Sequence, residues 1–191
     1  MSSSSGGALP ADQVRRLVAR KRVRQALDYL RETETETIAD QIAACEIPAP
    51  PFGEKARGRW CLQRFSQVGL VHPRCDAVGN VLAEWPGVSA RPLVVLAAHL
   101  DTVFPEGTEV RVRREGKVLQ APGIGDNARG LAVILAVARA LGHVGIATRG
   151  TLLFVGNVGE EGLGDLRGTR HLLQGELAGR VDYFLTVDDA G

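Results

Sequence analysis

Four short polar clusters punctuate the chain: His99-Leu100-Asp101, Asp126-Asn127, Glu160-Glu161 and Asp188-Asp189. Each lies just after an apolar run that reads as a buried strand, or in a glycine-rich turn that opens a helix. Charged groups gathered at strand ends are costly unless an opposite charge neutralises them. A divalent cation neutralises several carboxylates and an imidazole at once. The pattern therefore points to a metallohydrolase site at the carboxyl edge of an α/β sheet, where such sites are built.

The residue types divide the work. His99 and Asp101 are two apart, and alternate residues of a strand share a face. His99 can ligate a cation while Asp101 holds its tautomer from behind; the plainer reading is a core histidine with a carboxylate partner. Asp126 follows Gly123-Ile124-Gly125 and can bridge two cations or simply cap the helix that begins there, with Asn127 hydrogen bonding beside it. Glu160 and Glu161 are adjacent carboxylates that repel, so they do best with different tasks. One can ligate, while the other takes a proton from a water acidified by the cation; a solvated acidic loop is the alternative. Of Asp188 and Asp189, one is a candidate ligand and the other is expected to be exposed. His72, His143 and His171 lack this context and read as structural or surface residues. A rival reading takes Gly123-Ile124-Gly125-Asp126-Asn127-Ala128 as a loose dinucleotide-binding fingerprint. It sets Asp126 where a pyrophosphate belongs and leaves His99, Asp101 and Asp188 unexplained.

The elements that must position these groups are legible from periodicity. Residues 11–32 show helical spacing through Val14, Leu17, Val18, Val23, Ala26, Leu27 and Leu30. Further helices are expected over 35–45, ended by the proline-rich 47–51, and over 53–68, stopped by Gly69. Strands follow at 70–76 and 80–85 around a Val78-Gly79 turn. Residues 93–98, 151–155 and 183–187 read as three buried strands. A small hairpin is expected from 110–113 and 117–119, and helices from 128–141 and 166–174. Strands alternating with helices mean crossover connections around a central sheet. The fold class is α/β, with a central, mostly parallel mixed sheet flanked by helices.

Composition narrows the function. The net charge of +1 gives no ground for a nucleic-acid or anionic-membrane partner, and the basic run over 15–24 reads as a solvated helix face. Cys45, Cys61 and Cys75 are odd in number and far apart, which argues against a disulfide framework and fits a reducing compartment. The start Met1-Ser-Ser-Ser-Ser-Gly-Gly lacks a signal-peptide pattern, so a cytoplasmic location is expected. Residues 1–10 read as a disordered tail, and 11–191 as one domain that is expected to be incomplete.

Three motifs in register carry a resemblance. His99-Leu100-Asp101-Thr102-Val103, Gly123-Ile124-Gly125-Asp126-Asn127 and Gly159-Glu160-Glu161-Gly162 resemble the signatures of the aminoacylase/carboxypeptidase G family of zinc metallopeptidases, which includes peptidase T and succinyl-diaminopimelate desuccinylase. Ile47-Pro48-Ala49-Pro50-Pro51-Phe52-Gly53-Glu54 looks like that family's N-terminal segment. The resemblance implies a zinc-peptidase catalytic domain of the phosphorylase/hydrolase-like type that cleaves amide bonds of small peptides or N-acyl amino acids. It implies His99, Asp126 and Asp188 at a first zinc, Asp126 and Glu161 at a second, Glu160 as general base on a zinc-bridged water, Asp101 behind His99, and a cis Asp126–Asn127 peptide. Members of that family carry a lid or dimerisation domain and a further catalytic segment that supplies one more histidine. Neither is matched here, so the second site lacks a ligand and a homodimer is expected only with such a lid. A truncated, non-catalytic metal-binding fragment is the competing expectation.

Overall fold

The computed structural model describes residues 11–189; the expected tail at 1–10 lies outside them. Among the described residues the main sheet has five strands in the order β1-β2-β6-β3-β7. They are β1 (Val71–Cys75), β2 (Val81–Trp85), β3 (Val94–His99), β6 (Leu152–Asn157) and β7 (Tyr183–Thr186). β1, β2 and β6 pair antiparallel, whereas β6, β3 and β7 run parallel. The parallel half carries the polar clusters, because each of its strands delivers its following residues to the same edge. A separate hairpin pairs β4 (Arg113–Glu115) with β5 (Val118–Gln120).

Side-chain alternation splits the core between the two faces of the sheet. Val81, Ala83, Ala98 and Phe154 face α3 (Glu34–Cys45), α4 (Lys55–Gln67) and α5 (Ala128–Val144), where Phe65, Leu131, Ile134 and Leu135 are buried. Leu82, Val95, Ala97, Leu153 and Val155 face the other way and pack with Leu172 of α6 (Arg167–Gln174) and Leu177. The ends of α5 are set by sequence. The Asn127 side chain accepts the Gly130 amide at its start, and Gly145 takes the left-handed conformation (φ 64) at its end, the position where glycine is favoured.

Three expectations are corrected. The stretch 11–32 forms two helices, α1 (Ala11–Val18) and α2 (Lys21–Glu32), separated by an extended Arg20. α1 buries none of its residues, so Val14, Leu17 and Val18 remain exposed. The hairpin arms fall later than expected, around a Gly116-Lys117 turn. The reason lies at the end of α3: the Val112 amide bonds the Glu46 carboxylate and the Cys45 thiol reaches the Val110 carbonyl, which takes 110–112 out of strand pairing. Strand β7 is not buried. It pairs with β3 alone at the sheet edge, with Tyr183 and Leu185 exposed.

Candidate metal centre

The polar clusters converge at the carboxyl edge of β3, β6 and β7. His99, the last residue of β3, is buried at 2% exposure. Its Nε2 lies 2.8 Å from Asp126 Oδ1 and 3.6 Å from Asp188 Oδ1. Its Nδ1 lies 3.0 Å from the main-chain oxygen of Asp101. A carbonyl only accepts, so in this bond Nδ1 donates and Nε2 faces the carboxylates.

Asp101 has a task beyond the His99 ring. Its carboxylate is 3.6 Å from Nδ1 and also holds two amides: Oδ1 accepts the Glu160 amide at 3.0 Å and Oδ2 accepts the Glu161 amide at 2.9 Å. The main chain of Asp101 orients His99, while its side chain fixes the backbone under the two glutamates. This carboxylate is fully buried and links the end of β3 to the loop after β6.

Asp126 and Asn127 share the opening of α5 across a cis peptide, as the sequence resemblance implies. Asn127 takes the capping role that was open to Asp126: its Oδ1 accepts the Gly130 amide at 2.9 Å and its Nδ2 donates to the Val187 carbonyl at 2.8 Å. Asp126 is thus released toward His99, and the same asparagine ties α5 to the end of β7. Asp188 Oδ1 accepts the Asp189 amide at 2.9 Å, and both side chains are exposed.

Several positioning residues carry no local sequence signal. Asn80, fully buried, bonds the Val158 amide through Oδ1 and the Gly168 carbonyl through Nδ2, and Asp76 holds its side chain. The first amides of α6 bond back to the same loop, Arg167 N to Gly159 O and Gly168 N to Val158 O. Arg167 Nη2 pairs with both oxygens of buried Glu54, and its guanidinium lies 4.8 Å from the Phe52 ring centre. A Cβ at Gly159 would collide with Arg167 Nη1, which accounts for glycine there. The bonds of Asn80 to Val158 and Gly168, and of Glu54 to Arg167, join residues 78 to 113 positions apart, so only the fold reveals them.

Two sets of ligand atoms lie within 4.8 Å of one another: His99, Glu160 and Asp188, and His99, Asp126 and Glu161. Both glutamates therefore fall within ligating reach. Partial burial, then the charges of Asp188, Asp101 and Asp126, raises the Glu160 pKa, with His99 opposing; burial and Asp126 raise that of Glu161. Burial disfavours the charged form of His99, but Asp101, Asp126 and Asp188 outweigh it and hold its pKa at about 9. Among the described residues no lysine or arginine pairs with Asp101, Asp126, Glu160, Glu161 or Asp188. One imidazole nitrogen and several carboxylate oxygens with no resident cation form a donor set that fits a divalent metal such as zinc. The rival dinucleotide reading loses support here, since the strand before Gly123 is β5 of the separate hairpin and the Asp126 carboxylate, where that reading needs a phosphate, lies against His99.

This sheet, with its ligand-bearing parallel edge, is the catalytic-domain architecture of the metallopeptidases. A sequence model of peptidase family M28 matches residues 80–191, more than half of the chain, and the chain belongs to that family. Carboxypeptidase G2 of Pseudomonas sp. (strain RS-16) is 30% identical over 143 residues, covering 71% of this chain and 34% of that protein. Aminopeptidase PepT from Bacillus cereus superposes with a TM-score of 0.68 at 20% identity, over 81% of this chain and 43% of its own. A dinuclear metal-binding peptidase of the M20 family from Bacillus subtilis does so with a TM-score of 0.63 at 17% identity, over 83% of this chain and 44% of its own. The chain thus spans between about a third and less than half of the length of these relatives. Among the described residues no helix is long and apolar enough to cross a membrane.

Proposed function

We propose that this chain carries the metal-binding centre of a hydrolase that cleaves amide bonds in small peptides or N-acyl amino acids. The observation that carries the reading is the gathering of Asp126, Glu160, Glu161 and Asp188 around one buried imidazole, with no lysine or arginine paired to them among the described residues. His99, Asp126 and Asp188 would hold one zinc ion, and Asp126 with Glu161 a second. Bound zinc supplies a polarised scissile carbonyl and a water of lowered pKa.

The remaining work falls to the protein. Glu160, its pKa raised, removes a proton from the attacking water and returns it to the leaving amine nitrogen. Asp101, bonded to the Glu160 and Glu161 amides, keeps both carboxylates on the cavity side of the loop. The His99 ring is fixed by the Asp101 carbonyl, so its Nε2 needs no reorganisation to meet a cation.

Metal content and turnover measured together test this. Two zinc ions per chain, the second held more weakly by Asp126 and Glu161 alone, with hydrolysis of N-acyl amino acids or di- and tripeptides is the expected result. Glu160→Ala should abolish turnover and keep the metal, whereas Glu161→Ala should lose one ion. Loss of metal in Glu160→Ala with retention in Glu161→Ala would reverse the two roles. One bound zinc and no turnover would favour a metal-binding chain without catalysis.

A further inference from the structure

Beside the metal centre lies a groove of about 400 Å³ between α3 and the β4–β5 hairpin, reaching the Ile124-Gly125 turn that carries Asp126. Three cationic side chains line it: Arg114, Lys117 and Arg129. Among the described residues none of the three has a carboxylate within ion-pair distance, including Glu34, which lines the same groove.

Arg129 is the informative member. The α3–α5 seam contains two arginines, and it treats them differently. Arg139 is neutralised by the Asp40 carboxylate. Arg129 meets the neighbouring residue Gln41, a neutral amide that accepts from its Nη1 at 3.2 Å. Gln41 is itself 8% exposed and anchored by its Nε2 to the Ile124 carbonyl at 2.8 Å. A buried glutamine thus aims Arg129 without cancelling its charge. Arg129 also sits in the first turn of α5, where the helix dipole disfavours a cation and favours an anion. An arginine placed against the dipole, held by a neutral partner and flanked by two more cations is not explained by stability. It is suited to an anionic ligand, which the guanidinium can grip in planar, bidentate fashion.

We propose that this groove is a carboxylate subsite of the hydrolase, with Arg129 as its main anchor and Arg114 and Lys117 as its rim. The assignment to substrate rests on the hydrolase reading above. Arg129 is three residues from Asp126, at most about 10 Å of backbone, so the carboxylate it takes lies within a short peptide's reach of the scissile bond. Substrates with an acidic group there are then preferred to their amides.

The test has two arms. In the first, the metal-free wild-type chain, Arg129→Gln and Lys117→Gln are titrated with glutarate at low ionic strength by NMR. The expected result is saturable binding whose Kd rises at least tenfold in Arg129→Gln and by a smaller factor in Lys117→Gln, at an unchanged thermal midpoint. Equal Kd in all three proteins, or no saturable binding to the wild type, would overturn the subsite. In the second arm, with zinc restored, kcat/KM is compared for N-acetyl-Ala-Glu and N-acetyl-Ala-Gln. The acid-to-amide ratio should fall at least tenfold in Arg129→Gln, through KM. An unchanged ratio alongside lost glutarate binding would mean that the groove takes a free organic anion, which overturns the assignment to substrate. Should neither dipeptide be hydrolysed, the hydrolase reading fails separately. Titration with the two intact dipeptides then decides whether the groove distinguishes acid from amide.

Discussion

His99 meets Asp101 through the main chain rather than through its carboxylate: Nδ1 is 3.0 Å from the Asp101 carbonyl oxygen and 3.6 Å from the nearer carboxylate oxygen. One residue therefore performs two separable tasks, ring orientation by its backbone and loop fixation by its side chain.

Asp101→Asn separates them. The asparagine keeps the carbonyl that orients His99, but one of its side-chain positions becomes an NH2 group facing an amide donor. The Glu160 or Glu161 amide loses its acceptor, and the glutamate loop shifts. We expect kcat/KM to fall roughly 10–100-fold, the usual range for a partner behind a metal ligand, with metal affinity at the His99 site reduced less than the rate. A metal affinity that collapses while the rate constant of the loaded enzyme is unchanged would show that the carboxylate serves His99 after all.

Zinc uptake should depend on pH through His99. Its pKa in the metal-free protein, about 9, lies above the ordinary 6.5 because three carboxylates outweigh its burial. The protonated ring therefore stabilises the metal-free fold fully below about pH 6.5, and that contribution is lost as pH rises through about 9. Zinc needs the free Nε2 lone pair, so each ion bound there below pH 9 expels a proton. The apparent affinity should climb about tenfold per pH unit up to about pH 9. Calorimetry at pH 7 in buffers of different ionisation enthalpy should find about one proton released from this site; none released would remove His99 from the ligand set.

The Glu54–Arg167 pair should fail asymmetrically. The Glu54 side chain is 4% exposed and the Arg167 side chain 24%. Arg167→Ala strands a buried carboxylate and should cost about 3–5 kcal/mol, a fall in thermal midpoint of about 6–20 °C at this chain length. Glu54→Gln leaves an arginine that water can reach, so its loss should be smaller. Equal losses in the two variants, read by thermal denaturation, would contradict a clamp of this kind.

Much of this site is legible in the sequence because strand ends announce themselves. An apolar run followed by acid marks His99, Glu160 and Asp188, and a glycine turn before a helix marks Asp126. The sheet and the helices α3, α4, α5 and α6 follow from the same periodicity. What escapes is what depends on distant partners. Asn80, Glu54 and Gln41 act on residues 78, 113 and 83 positions away, and nothing in their neighbourhoods says so. Asn127 and Asp126 are equally good caps by type; the bond from Asn127 to Val187 decides between them. The apolar run at 183–187 looks like its buried counterparts because composition records hydrophobicity, while burial depends on whether another strand lies beyond it.

The most direct test of the central claim is anomalous scattering from crystals of the chain grown with zinc. We expect two zinc peaks at the carboxyl edge of β3, β6 and β7, a strong one on His99 Nε2 and a weaker one, both against the Asp126 carboxylate. Zinc found only elsewhere, for example between His171 and Asp76, or no peak within reach of His99, would contradict it.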